Sequence, residues 1–578
     1  MTPKVRRIVA VGLICLLALV LRAIGLQYGL PAVYNPDEVA IMTRALSFGR
    51  GTLNPHNFLY PTFFFYVLFA WVGVYLGFQW ITGRVASIAA LQRTLFSDPV
   101  GIYTAGRTLG VVAGTATVGL MYRLGSILAD RRTAFGAAIF LAVAPLHVRD
   151  SHYVKHDVPA TLAIVIAYLA IVRIWPCASD GGPRRRETLL AGAACGAAFS
   201  THYYCIFLAI PLALAIVFAW RRQGPGECVR QLALGAVASA VVFFALSPFL
   251  LVEPMTAIRD IAANRQIVID RAVAEGAFAP ARRYAAMLWS DAAGWRIALL
   301  SIVGAVWMLA ASPARALLLL AFPLPFLIFI SNTAPASRYL NPVVPFMALF
   351  AAWGLSRLAR RLGNNAPLFW IVTAMAAIPA AEASVAADLF IRRDDTRTLA
   401  QRYVEAHIPP GSTVLTQPYS AVLTPSRQGL VEALTRNLGS VDAASTKFQL
   451  QLSQDPYPSP AYRLIYLGRG GLDAEKIYVD PAELGTAGLE PLRRLGVTYV
   501  LIKRYNRPDP ETLPFLAVLA REGRRIAQFS PYRPGLSDAE QARIDPFLHN
   551  TDARIDAALE RPGPAVEIWQ LEDPGVRR

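Results

Sequence analysis

Apolar residues in this chain come in long blocks rather than at the alternating positions of a soluble core. The run from Ile8 to Gly25 holds Arg22 as its only ionisable side chain. Several blocks reach the roughly 18 to 20 residues that cross a hydrocarbon core as helix. The pattern predicts a first span near residues 8–27 and further spans at about 102–128, 133–148, 158–175, 189–201, 204–220, 229–250, 295–311, 316–331, 341–356 and 367–387. That makes about eleven crossings. No small-residue cleavage site follows the first block before the polar stretch 35–38, so it reads as an uncleaved span rather than a signal peptide. Another apolar run, TFFFYVLFAWVGVYLGFQWI at 62–81, is long enough to span. As a simple crossing it would put the polar stretches around Asp37 and Asp157 on opposite sides, so it is expected to lie along the outer interface or to re-enter, with its Trp and Tyr at headgroup depth.

The pattern changes after about residue 388. Short β-prone runs (STVLT, RLIYLG, VTYVLI, AVEIWQL) alternate with helical stretches at 396–407 and 510–522, as in a small α/β domain. The expected division is a transmembrane domain over 1–387 and an α/β domain over 388–578, the latter long enough for its own core.

Composition agrees with this class: 55% of the 578 residues are hydrophobic and 16% charged, too apolar for a soluble chain of this length. A net charge of +17 would point to nucleic acid in a soluble protein. Here the compact clusters Arg131–Arg132, Arg184–Arg186, Arg221–Arg222, Arg315, Arg357 and Arg360–Arg361 fall on one side of the predicted spans, as cytoplasmic loops do, and no nucleic-acid partner is implied. The N-terminus is then inside and the α/β domain outside. The segment 253–294 is the exception. It carries Arg259, Arg265, Arg271, Arg282 and Arg283 on the outer side, so either the topology slips there or these arginines meet an anionic ligand. The five cysteines form no CxxC pattern and leave the α/β domain without a disulfide framework.

Candidate chemistry gathers at the outer face. In VYNPDEVAI (33–41), Asn35 can cap a helix with Pro36 in its first turn and Glu38 closing a capping box, which alone would account for both acids. The same face collects Arg149, Asp150, His152, Lys155, His156 and Asp157, and later Arg338 and Tyr339. Ionisable groups held against a bilayer are costly, so a convergent set marks a site. Moving a sugar from a lipid-linked phosphate to a hydroxyl needs a carboxylate to take the acceptor proton and cations to hold the departing phosphate. Asp37 suits the base, Glu38 would orient it or bind the acceptor, and Arg338, Lys155 or the arginines of 253–294 would neutralise the phosphate. His152 and His156, four residues apart, could bind a metal with Asp150 or Asp157, but no further ligand is evident and no metal or cofactor is expected.

NPDE after a first span, the following GTLNPHNFLYPTFFFY, SHYVKHD before a later span, SPFLLVEP and RYLNPVVP together resemble the polyprenyl-phosphate-sugar glycosyltransferases of the GT-C fold, in the branch of the protein O-mannosyltransferases and lipid A aminoarabinose transferases. The likeness covers roughly residues 5–360. It implies a polytopic helical GT-C-like membrane protein of the inner membrane, with interfacial helices, an extracytoplasmic active site and an extracytoplasmic C-terminal domain. Its partners would be a polyprenyl-phosphate-linked sugar donor, a glycan, lipid or protein acceptor, and membrane lipids. Transfer would be of the inverting type, with Asp37 as base beside Glu38, Asp157 and His156 in the second acidic loop, and Arg338 and Tyr339 near the lipid phosphate, with Lys155 and His202 as further phosphate candidates. Two positions depart from the family pattern. Relatives often have a basic residue before a Pro-Pro pair where this chain has Leu59, Tyr60 and Pro61, with His56 the nearest titratable group, and Thr201-His202 replaces a frequent Thr-Lys.

Two other classes fit many spans. A lipid or glycolipid transporter would place its charges at mid-bilayer on broken helices, often in inverted repeats, whereas here they cluster at one interface and the halves do not repeat. A scaffold displaying the C-terminal domain would use the acids only as helix caps.

Overall fold

Proline and polar breaks, more than loops, divide the apolar part of the chain. The computed structural model describes residues 2–87, 90–91, 98–175, 184–273, 278–471, 473–504, 510–549 and 555–571. In chain order the main helices are α1 (Pro3–Ala23), α2 (Pro36–Ser47), α3 (Phe63–Ile81), α4 (Val100–Leu128), α5 (Arg131–Ala142), α6 (Pro145–Asp150), α7 (Asp157–Ile174), α8 (Arg185–Phe199) and α9 (Ala209–Trp220). They continue as α10 (Pro225–Leu246), α11 (Pro254–Val273), α12 (Ala279–Ser290), α13 (Trp295–Ala311), α14 (Pro313–Leu320), α15 (Pro323–Ile330), α16 (Val344–Arg361) and α17 (Ala366–Ile391). The expected span at 133–148 divides at Pro145 and that at 316–331 at Pro323, because proline has no N–H to continue the helical ladder. Among the described residues seven helical segments are long and apolar enough to cross a membrane, or eight if α12 and α13, bent by 104°, form one span.

Small residues let these helices approach closely. A Cβ on Gly304 of α13 would meet the Phe350 carbonyl of α16, and one on Gly196 of α8 would meet the Ser239 carbonyl of α10. The main core lies between α4, α5, α7 and α16, around Phe140, Tyr168, Phe346 and Trp353.

Helix α4 extends past α1 on the side where α2 begins. α1 runs antiparallel to it, with Cys15 beside Gly119 and Arg22 beside Gly114. The first thirteen residues of α4 therefore project past the end of α1, by about 20 Å at 1.5 Å per residue. α3 packs on this projecting part: Trp71 Nε1 donates to the Ala105 carbonyl at 3.1 Å and to Thr108 at 3.0 Å, and Tyr75 lies against Gly101. It passes the length and hydropathy test for a span, yet it leads away from the level at which α1 lies.

Beyond α17, helix α18 (Thr396–His407) leads into a six-stranded sheet of β1 (Thr413–Thr416), β2 (Arg463–Leu467), β3 (Ile477–Val479), β4 (Tyr499–Arg504), β5 (Gly523–Phe529) and β6 (Ala565–Leu571). Their order is β3-β2-β1-β4-β6-β5. β1 to β4 are parallel, with Val414 facing Leu464 and Tyr499, and β6 joins antiparallel, with Leu501 facing Ile568. The four runs read as strands lie in β1, β2, β4 and β6. Their near-continuous burial follows from helices covering a parallel sheet.

Candidate active site

The segment 33–38 works both as a helix cap and as part of a charged cluster. Asn35 Oδ1 accepts from the Asp37 N–H at 3.0 Å and Pro36 opens α2. The expected capping box does not close, because Glu38 turns inward. Its carboxylate is fully buried and accepts four hydrogen bonds: Arg107 Nε at 2.9 Å, Arg107 Nη2 at 2.8 Å, Tyr28 Oη at 2.9 Å and the Val154 N–H at 2.9 Å. The Arg107 guanidinium also donates to the Leu26 and Tyr28 carbonyls and lies 3.9 Å from the Tyr28 ring centroid. Of the two roles considered for Glu38, this geometry fits orientation of α2 and leaves no oxygen for an acceptor.

Asp37 points the other way, 41% exposed, with its carboxylate 3.0 Å from Lys155 Nζ and 3.9 Å from Arg338 Nη1. Burial raises its pKa, but Lys155 and Arg338 together hold it below the usual carboxylate range. Lys155 is pushed below an ordinary lysine, first by burial and then by Arg338, against the opposing pull of Asp37 and Asp157. For Arg338 burial is the largest influence and lowers its pKa, but Tyr339, Asp37 and Asp157 outweigh it and raise the guanidinium above its ordinary value. Asp157 opens α7, buried among these cations, and its Oδ1 has no hydrogen-bond partner among the described residues. Tyr339 lies under Arg338, 5.0 Å from the guanidinium carbon to the ring centroid.

The other residues of the second loop divide between site and scaffold. Arg149 pairs with Asp150 at 2.6 Å and donates to Ser337 Oγ at 3.1 Å, while Asn341 Nδ2 donates to Asp150 at 2.6 Å. This pair fastens the segment that carries Arg338. His152 is bonded to the Val148, Arg149 and Ile24 carbonyls and lies away from His156, so the two histidines do not converge on one centre. His156 sits in an aromatic nest, stacked on Tyr60 at 4.3 Å with Phe64 and Phe65 around it, and burial with the neighbouring His202 pushes its pKa well down. His202 stacks on Tyr204 at 3.7 Å, and burial and Arg338 push it down to about 3, so it is neutral near pH 7. Tyr60 thus contacts both histidines, 4.3 Å from His156 and 5.3 Å from His202.

Behind this cluster a cavity of about 760 Å³ opens between α8, α10, α11 and α15. His202 and Tyr339 line it together with the aromatic rings of Phe207, Phe243 and Phe326. Of the arginines in 253–294, Arg265 reaches this cavity. Arg259 pairs with Asp260 at 3.0 Å, Arg282 and Arg283 are exposed, and the side chain of Arg271 lies outside the described residues. The motifs GTLNPHNF and SPFLLVEP meet where Glu253 accepts from Asn54 Nδ2 at 2.6 Å and lies 3.0 Å from His56.

Arg107, Tyr28 and Asn341 were not evident as parts of this arrangement from the sequence. The available signal for Arg107 was an arginine inside a predicted span, which needs a buried partner.

The family described as dolichyl-phosphate-mannose-protein mannosyltransferase matches residues 84–251. Among solved structures, ArnT from Cupriavidus metallidurans bound to undecaprenyl phosphate is 14% identical, with 98% of each chain covered and a TM-score of 0.50. AglB from Archaeoglobus fulgidus, in complex with an inhibitory peptide and a dolichol-phosphate, is 11% identical, covering 98% of this chain and 88% of its own, with a TM-score of 0.49. No match is found among curated proteins. The chain has the GT-C membrane fold with a sheet-containing C-terminal domain, and it resembles the GT-C glycosyltransferases that use polyprenyl-phosphate sugar donors.

Proposed function

We propose that this protein transfers a sugar from a polyprenyl-phosphate donor to an acceptor hydroxyl on the outer face of the inner membrane. The observation that carries the reading is the Asp37 carboxylate placed between Lys155 and Arg338, with Tyr339, which lies under Arg338, lining the apolar cavity. The cavity takes the polyprenyl chain, and Arg338 and Lys155 bind the phosphate, Arg338 with a two-pronged contact. Asp37 takes the proton of the acceptor hydroxyl, whose oxygen bonds to the anomeric carbon as the carbon–oxygen bond to phosphate breaks. Polyprenyl phosphate leaves, and a single displacement inverts the anomeric centre. His202, neutral, contributes a dipole rather than a charge. Glu38 is a positioning residue that locks α2 through Arg107.

About eleven spans with the N-terminus inside support this placement, with α3 counted as interfacial because it packs on the projecting end of α4. The transmembrane part then covers 1–387 and the outer domain 388–578. Asp37→Asn preserves the helix start, since the cap is Asn35, but removes the base, and transfer should fall by about 10²- to 10⁴-fold. Turnover with a polyprenyl-phosphate sugar is the measurement. Near wild-type turnover in Asp37→Asn would leave NPDE as a cap alone.

A further inference from the structure

The four parallel strands of the C-terminal sheet lie in the order β3-β2-β1-β4, so the chain winds one way from β1 to β3 and then crosses to the other side of β1 for β4. In sheets of this kind ligands bind outside the carboxyl ends of the strands, where the winding reverses. The rule says only where to look, and the side chains must carry the rest. A cavity of about 500 Å³ lies at that place, within the roughly 300–1,000 Å³ of small-molecule sites. Gln417 just after β1, Leu467 at the end of β2, and Lys503 and Arg504 at the end of β4 line it. It shares no lining residue with the apolar cavity.

The polar groups there are held in place and mixed in kind. Gln417 Oε1 accepts from the Lys503 N–H at 2.7 Å, which ties the exit of β1 to β4 and orients the amide, while Nε2 makes no hydrogen bond among the described residues. Lys503 Nζ donates to the Pro418 carbonyl. Arg469 pairs with Glu511 at 2.6 Å, and both line the cavity. Arg504 Nε lies 3.9 Å from Glu567, and the guanidinium makes no hydrogen bond among the described residues. Cations are therefore set against carboxylates instead of being massed for one charge. A bound anion would meet Glu511, and a bound cation would meet Lys503, Arg469 and Arg504. Hydroxyls both donate and accept, so a neutral molecule carrying several of them satisfies both kinds of group. Leu467 and Ile502 add apolar surface for the C–H groups of a ring.

We propose that this crevice in the C-terminal domain binds a neutral saccharide unit of a glycan, with Gln417, Lys503 and Arg504 donating to its hydroxyls and Glu511 accepting from them. The Gln417 amide is fixed before the ligand arrives, so little order is lost on binding. The inference goes beyond the transfer reaction. It concerns binding alone and does not rest on Asp37 acting as a base.

The test applies the full-length protein, in phosphatidylcholine nanodiscs free of sugar-based detergent, to an array of immobilised neutral and uronic-acid glycans. Binding to neutral glycans is expected. Gln417→Glu keeps the oxygen that accepts from the Lys503 N–H but replaces the donor with an acceptor, and it should weaken binding about tenfold, as loss of one hydrogen bond to the ligand does. Arg504→Gln, at an exposed position, should weaken it to a similar degree while leaving the unfolding temperature unchanged. Asp37→Asn should bind the array as the wild type does, which separates this crevice from the candidate active site. Three results would each overturn the proposal: no neutral glycan bound, uronic-acid glycans bound alone, or neutral-glycan binding unchanged in both Gln417→Glu and Arg504→Gln.

Discussion

Lys155 is the residue at which charge balance in the candidate site is most easily disturbed. Its ammonium is stabilised by Asp37 at 3.0 Å but opposed by burial and by Arg338, and the net effect is a pKa below the usual lysine value. A depressed lysine loses its charge as pH rises through that lower value. If Lys155 holds the donor phosphate, donor KM should rise on the alkaline side at a pH below about 10.4. Lys155→Arg, charged throughout, should remove this limb. Donor KM measured against pH checks it, and a limb unchanged in the arginine variant assigns the titration to another group. Asp37 moves in the opposite sense. Its pKa is lowered, so it is ionised at neutrality and any acid limb it causes should lie below about 3.9. Arg338 is tested by geometry rather than charge. Arg338→Lys keeps the cation but loses the planar fork, so at saturating acceptor the donor-concentration curve should shift to weaker binding, whereas an arginine that merely snorkels would leave it unchanged.

At the scale of elements, α2 is held at its start by Asn35 and one turn further by the Glu38–Arg107 pair, so Asp37 projects from a helix fixed twice. Removing one partner of a buried, hydrogen-bonded ion pair leaves an uncompensated charge, typically at a cost of about 3–5 kcal/mol. Arg107→Gln should therefore lower the unfolding temperature of the detergent-solubilised protein, and adding Glu38→Gln should restore part of the loss. A double variant no more stable than Arg107→Gln would mean that the pair is not coupled. This element also marks the limit of what the sequence could show. Asn35, Pro36 and Asp37 are local, and their cap was readable from spacing. The cations around Asp37 were readable because polar groups crowded one predicted interface. The partner of Glu38 was not, since it lies 69 residues away within an apolar stretch, and a single sequence carries no record of which buried arginine meets which carboxylate. Helix positions followed from hydropathy, whereas the breaks at Pro145 and Pro323 depended on proline chemistry inside runs that hydropathy alone treats as continuous.

At the scale of the molecule, the C-terminal domain is tied to the segment that precedes α2. Tyr34 Oη and Thr398 Oγ1 are 2.6 Å apart, Arg397 lies over the Tyr34 ring at 3.9 Å, and Asn35 Nδ2 donates to the His549 carbonyl at 2.8 Å. His549 stacks on Tyr28 at 4.7 Å and lies edge-on to Tyr153 at 6.4 Å, so this domain and the loops of the membrane part share an aromatic cluster. These bonds require the sheet domain and Asp37 to lie on the same side of the membrane. The run at α3 is where the topology can still fail. As an interfacial helix on the projecting end of α4, it keeps Thr82 on that same side, whereas as a crossing helix it puts Thr82 opposite. A chain with its five native cysteines replaced, carrying either Thr82→Cys or Ser412→Cys, decides between them. Both positions should react with an impermeant maleimide applied to the outer surface of intact inner membranes. Labelling of Thr82→Cys only after permeabilisation, with Ser412→Cys still labelled from outside, would make α3 a span and require a compensating crossing before α4. Labelling of neither from outside would invert the protein, placing Asp37 where an outward-facing lipid-linked sugar could not reach it.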